Sequence, residues 1–141
     1  MTTPRFSALA LAMLYGLAAP AFALSSGDPL ALQLAALEGA RAERQACAWQ
    51  FPELREKNEA AFRASPYAKW TSEELIQAMA SGEEQAKQLA GLPALRATYQ
   101  KSMGEMPAEA RRRLCSSMAA YLEDLTQKGV SLGPKPQVDQ R

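Results

Sequence analysis

The stretch "SSGDPLALQLAALEGARAERQACAWQ", residues 25–50, decides the fold, because it predicts a long helix that carries one of only two cysteines. Asp28 suits the N-cap position, and Pro29 suits the first helical position, where no backbone N–H is needed. Three leucines at helical spacing share one face and predict the buried side of this helix: Leu30, Leu34 and Leu37.

Two arginines interrupt this apolar face further along the helix. Arg41 and Arg44 fall near the same side as the leucines. Either the buried face turns toward Ala40, Cys47 and Phe51, or the helix leaves the core partway. Pro52 should then end or kink the helix, because proline removes a helical hydrogen bond.

The rest of the chain also has a helical composition. Strand-favouring valine and isoleucine are nearly missing, and Ala, Leu, Glu, Gln, Lys and Arg dominate. Further helices are predicted from the spacing of apolar residues over 52–65, from 71 through 89, over 93–104 and over 107–129. The predicted fold class is therefore all-α, a small bundle of four to five helices.

The helix that begins near Thr71 has one uncertain boundary. Thr71 and Glu74 form a T-x-x-E capping box, and Trp70 and Leu75 stand where a hydrophobic staple belongs. The segment "SGEE", residues 81–84, could be a second capping box that splits this helix at Gly82. The even spacing of the apolar residues around Gly82 favours one unbroken helix.

The N-terminus has the layout of a secretory signal. One base, Arg5, precedes an apolar run, and Ala21-Phe22-Ala23 offers small residues at the positions that a signal peptidase reads. We expect residues 1–23 to be a signal peptide, residues 24–129 to form one helical domain, and residues 130–141 to be a disordered tail. The expected location is the periplasm or the secreted space, with no membrane anchor after cleavage.

The two cysteines then lie in an oxidising compartment, where an even count favours disulfide bonding. Cys47 and Cys115 are far from the C-x-x-C spacing of thiol oxidoreductases. The sequence therefore predicts a structural bridge between the first helix and the last.

Composition excludes several functions. The chain has no histidine, which removes histidine-based triads and most catalytic zinc sites. Without Arg5, the remaining bases equal the 15 acids, so no basic surface for nucleic acid is expected. We expect no enzyme, no cofactor, no metal site and no nucleic-acid partner.

Four weak candidate sites remain. "YAKW" offers the loop aromatics Tyr67 and Trp70, which could anchor a partner protein. "RRR" offers Arg111, Arg112 and Arg113, which point in three directions and could contact an acidic partner. Paired glutamates at 73–74 and 83–84 indicate a solvated face, and the methionines of "MGEM" indicate core.

Two functions of different classes fit these observations. The first is an exported protein that binds an unidentified protein, such as an inhibitor, an immunity-type protein or an assembly accessory. The alternative is a carrier of a small ligand or metal between helices, where Met79, Gly82, Ala86 and Met103 could line a gap.

Overall fold

The computed structural model describes residues 28–134. Its α-helices, in chain order, are α1 (Pro29–Gln50), α2 (Arg55–Ala64), α3 (Ser72–Met79), α4 (Gly82–Glu105) and α5 (Ala108–Gln127). Short 3-10 turns occupy Pro52–Leu54 and Pro66–Lys69, and residues 28–134 contain no strand. The predicted all-α fold is confirmed, whereas the predicted signal peptide and residues 135–141 lie outside the described residues.

Helix α1 is the centre of the bundle and contacts all four other helices. The Asp28 carboxylate accepts the Leu30 N–H at 3.0 Å, as expected of its N-cap position. Leu34 and Leu37 are buried, and the helix does not leave the core at its arginines. Arg44 instead lies with its guanidinium 4.4 Å from the centre of the buried Phe62 ring, so the charge sits at the edge of the core.

The predicted disulfide is confirmed and ties α1 to α5. The Cα atoms of Cys47 and Cys115 are 5.4 Å apart, and both residues are fully buried. The Asn58 side-chain amide of α2 donates to the Cys115 carbonyl at 3.2 Å, which brings a third helix to the bridge.

The buried face of α5 differs from the predicted one. Helical spacing of the apolar residues in 107–129 predicts a buried face that contains Leu114, Met118 and Tyr121, with Cys115 at its border. In the structure Cys115 and Leu122 are fully or almost fully buried, whereas Tyr121 is 56 % exposed. The reason is the bridge, which turns α5 so that Cys115 faces α1.

The preference for one unbroken helix across Gly82 is wrong. Ala80 and Ser81 are extended, and Gly82 has a φ of +58°, a conformation that costs little only for glycine. The Ser81 side chain makes no capping hydrogen bond, so the break depends on Gly82 and not on a second capping box. The capping box of Thr71 and Glu74 at the start of α3 is confirmed.

Pro93 lies inside α4, although the sequence predicted that a separate helix begins there. Proline cannot donate to the carbonyl four residues earlier, so the helix loses one hydrogen bond at this point. Leu92, Tyr99 and Met103 on the same helix are buried, and their packing on α1 offsets that loss.

The chain after α5 returns to the bundle. Leu132 is 6 % exposed and belongs to the hydrophobic core. Gly133 adopts a φ of +67°, which favours glycine, and a Cβ atom there would lie 2.6 Å from a Leu75 methyl group, so a larger residue would also require Leu75 to shift. The predicted tail thus includes an apolar residue that is packed in the core, and the part beyond residue 134 lies outside the described residues.

Candidate functional site

The two predicted loop aromatics are mostly engaged within the protein. Tyr67 is 6 % exposed, and its pKa is raised by burial first and then by the neighbouring Tyr121 and Glu43. Trp70 is half-buried against the core, and its carbonyl accepts a hydrogen bond from Arg41 at 2.6 Å. The structure therefore does not present the Tyr67 ring as a contact surface for a partner.

The three consecutive arginines diverge, as their spacing predicted. Arg111 donates to the Gln50 side chain and to the Met106 carbonyl, each at 2.6 Å. Arg112 lies 3.8 Å from the Glu53 carboxylate and 5.3 Å from the centre of the Phe51 ring. Arg113 is exposed.

The paired glutamates act as local structural elements. Glu73 pairs with Arg96 at 2.9 Å, and Glu74 accepts the Thr71 N–H in the capping box. Glu73 and Glu84 belong to different helices, so they do not share the helix face that one unbroken helix would give them. Within residues 28–134 no three His, Cys, Asp or Glu side chains converge on a possible metal position.

A buried carboxylate that the sequence reasoning missed joins three helices. Glu38 of α1 is 4 % exposed, accepts a short hydrogen bond from the Ser72 hydroxyl of α3, and pairs with Arg96 of α4 at 3.1 Å. Arg96 also lowers the pKa of Glu73 through their hydrogen bond. Because Glu38 is four residues after Leu34, helical spacing could have placed it on the buried face.

A broad surface concavity lies over the outer side of α1, between the start of α2 and the end of α4. We call it the α1 groove. Its volume is about 850 Å³. Its lining comes from α1 between Arg41 and Gln50, from Arg55 and Glu59 of α2, and from Gln100, Met103 and Gly104 of α4.

Trp49 is the most exposed large apolar side chain of the described residues, with 82 % of its surface accessible, and it lies in this groove. Cys47, two residues earlier, is fully buried, so the two side chains leave α1 on roughly opposite sides. A tryptophan left in water at the edge of a concavity is the kind of residue that anchors protein–protein contacts.

Basic residues outnumber acidic ones in the lining of the α1 groove. Arg41, Arg44 and Arg55 line it together with one carboxylate, Glu59. Arg44 and Glu59 form a bidentate pair with a closest approach of 2.6 Å, and this hydrogen bond is the main cause of the lowered pKa of Glu59. Arg41 and Arg55 donate instead to the backbone carbonyls of Trp70 and Ala48, and at longer range the charge of Arg41 acts on Glu73 and Glu74 and that of Arg55 on Glu59.

The residues suggested for a carrier site are not brought together. Gly82 and Ala86 are exposed, and Met79 packs at the edge of the core. Of the four, only Met103 lines the α1 groove. A second concavity of about 150 Å³, beside Lys69, Trp70 and Leu132, contains none of them.

None of the helices among residues 28–134 is both long enough and apolar enough to cross a membrane. The chain matches no protein-family model, no curated protein and no solved structure.

Proposed function

We propose that this is an exported, non-enzymatic protein that binds another protein through the α1 groove. An inhibitor, an immunity-type protein or an assembly accessory would act in this way. The observation that carries the proposal is Trp49, which keeps 82 % of its surface exposed while it lines the α1 groove. Exposed aromatic side chains in such positions commonly supply much of the binding free energy of an interface.

The predicted compartment supports the same function. A buried disulfide is typical of proteins that fold in an oxidising environment. Cleavage after Ala23 would leave Leu24 as the mature N-terminus, and intact-mass measurement of the exported protein checks this position. A full-length, membrane-retained species would contradict the export part of the proposal.

The chemistry of the groove favours binding over catalysis. Its polar groups are arginines, side-chain amides and Glu59, and Glu59 is held by Arg44 with a lowered pKa. A general acid or base needs a pKa close to the working pH, whereas this carboxylate is driven further from neutrality. These groups are suited to recognising a partner's surface.

Site-specific photo-crosslinking tests the proposal. A photoreactive phenylalanine analogue replaces Trp49 in one variant and Tyr121 in another, since Tyr121 is also an exposed aromatic residue but does not line the groove. Both oxidised proteins are illuminated in periplasmic or secreted extract from the source organism. We expect a defined adduct from position 49 that excess wild-type protein prevents, and none from position 121.

The partner identified from the adduct is then purified and its affinity measured. Trp49→Ala should weaken binding by roughly thirtyfold, the loss typical of a central tryptophan. The same change should alter stability by less than about 0.5 kcal/mol, because the side chain is on the surface. Unchanged affinity in Trp49→Ala, or equal crosslinking from both positions, would contradict the proposal.

A further inference from the structure

The α1 groove has the shape of a site for one helix. The small side chains of Ala42 and Ala46 lie between Arg41 and Trp49 at helical spacing and leave room above the α1 backbone. Arg55 stands on one side, on α2, and Gln100 stands on the other, on α4. The groove is therefore a channel that follows α1 and is bounded by two helices.

The length of this channel suits a short helical segment. From Arg41 to Gln50 the α1 axis advances by about 14 Å, which equals between two and three helical turns. Trp49, at one end of the channel, remains largely exposed, which shows that the channel is open to solvent on its outer side. A bound segment would therefore be covered on one side only. A helix that lies in such a channel contacts it with residues at i, i+3, i+4 and i+7, and keeps its outer side in water.

The charged residues around the channel indicate which charges the bound helix would have along its edges. Arg55 of α2 and Arg41 of α1 hydrogen-bond only to neutral backbone carbonyl groups. Arg111, at the end near Gln50, also donates to uncharged acceptors, the Gln50 side chain and the Met106 carbonyl. These guanidinium groups keep their charge and retain donors for a carboxylate.

We propose that the α1 groove binds an amphipathic helix of the partner protein, with small or apolar residues against Ala42, Ala46 and Trp49 and with Asp or Glu along its edges. This inference rests on the protein-binding function proposed above and names the element that the partner supplies. Opposite charges on the two surfaces would also speed association and exclude basic helices.

Selection from a random library of displayed 16-residue peptides tests the inference directly. The target is the oxidised full-length mature protein, and Trp49→Ala serves as the counter-target. We expect the enriched peptides to share apolar residues at i, i+3, i+4 and i+7, an excess of Asp and Glu, and helical signal on binding. Enrichment of basic, extended or proline-rich peptides would overturn the inference. So would a selection in which every enriched peptide binds Trp49→Ala as well as it binds wild type.

Charge variants distinguish recognition of an acidic peptide by Arg55 from a general attraction between the peptide and any basic residue of the protein. Arg55→Glu should weaken the best acidic peptide about tenfold and improve its lysine counterpart, while Arg55→Lys should retain most of the affinity. Lys87→Glu is the matched control, because Lys87 is exposed on the distant first half of α4 and the charge changes equally. Equal effects of Arg55→Glu and Lys87→Glu would overturn the inference.

The two proposals fail in different ways. If a partner crosslinks at position 49 but its bound segment proves to be basic or non-helical, the helix inference is wrong and protein binding stands. If no partner crosslinks at position 49 and Trp49→Ala binds the selected peptides as well as wild type does, both are wrong.

Discussion

Replacement of both cysteines by alanine should destabilise the protein without changing its fold. The bridge joins residues 68 positions apart, and in the chain-entropy model a loop of this length contributes about 4 kcal/mol by restricting the unfolded chain. Alanine is the better substitute, because serine would place two hydroxyl groups at positions with no exposure. Allowing for relaxation, we expect a loss of about 2–4 kcal/mol, or roughly 8–16 °C in Tm for a domain of this size.

Urea unfolding followed by circular dichroism measures this loss. The double variant should keep its helical signal at zero urea, and its m-value should rise, because the unbridged unfolded chain exposes more surface. Ser116→Ala, an exposed neighbour of Cys115 on α5, should change stability by less than about 0.5 kcal/mol. A loss below about 1 kcal/mol in the double variant, or two thiols that react in unfolded but unreduced wild-type protein, would refute the reasoning.

Three other substitutions test particular contacts. Gly82→Ala should destabilise the protein by about 1–2 kcal/mol in urea unfolding, because residue 82 has a positive φ. Gly91→Ala is the control: it lies within α4, an added Cβ meets no atom within 4 Å at either position, and the change should stabilise by up to about 1 kcal/mol. Equal effects of the two substitutions would contradict this account. Arg96→Ala should cost about 1–3 kcal/mol because it removes the cation beside buried Glu38, and a neutral result would show that water replaces Arg96 there. Glu59 has a lowered pKa in the folded state, so its contribution to folding stability is present above the ordinary carboxyl pKa and is lost as pH falls through the folded value. The difference in unfolding free energy between wild type and Glu59→Gln should therefore shrink below about pH 4. A constant difference from about pH 7 to about pH 3 would contradict this account.

Local signals were sufficient for much of the fold. Asp28 and the Thr71–Glu74 box cap the helices that they were expected to cap, because a capping hydrogen bond depends on residues only two or three positions away. The disulfide was predictable because the chain has two cysteines, an even count, and because the inferred compartment is oxidising.

The boundaries of α4 could not be predicted in the same way. Even apolar spacing continued across Gly82, and Pro93 resembled a start signal, yet the chain breaks at the first position and continues through the second. At Pro93 the packing of α4 on α1 outweighs the local preference, whereas the break at Gly82 depends on the positive φ that glycine tolerates. The burial of Leu132 depends likewise on contacts with residues distant in sequence.

The candidate site was the least predictable part. Tyr67 and Trp70 were considered as loop aromatics that could anchor a partner, although Trp70 was also predicted to pack as a hydrophobic staple, and the bundle covers them to different degrees. Trp49 carried a usable signal, since it lies on the opposite side of α1 from Cys47. The groove beside it could not be foreseen, because it depends on how α2 and α4 are placed on either side of α1.

The proline inside α4 lies between a first part, residues 82–91, with no buried residue and a second part that is packed in the bundle. Between Gly82 and Gly91 no residue is buried, and the hydrogen bond that would join the Leu89 carbonyl to residue 93 cannot form. Beyond Pro93, Tyr99 and Met103 hold the helix on α1. Amide protons between residues 86 and 91 should therefore exchange with solvent through local fraying, whereas those near Tyr99 should exchange only when the bundle unfolds.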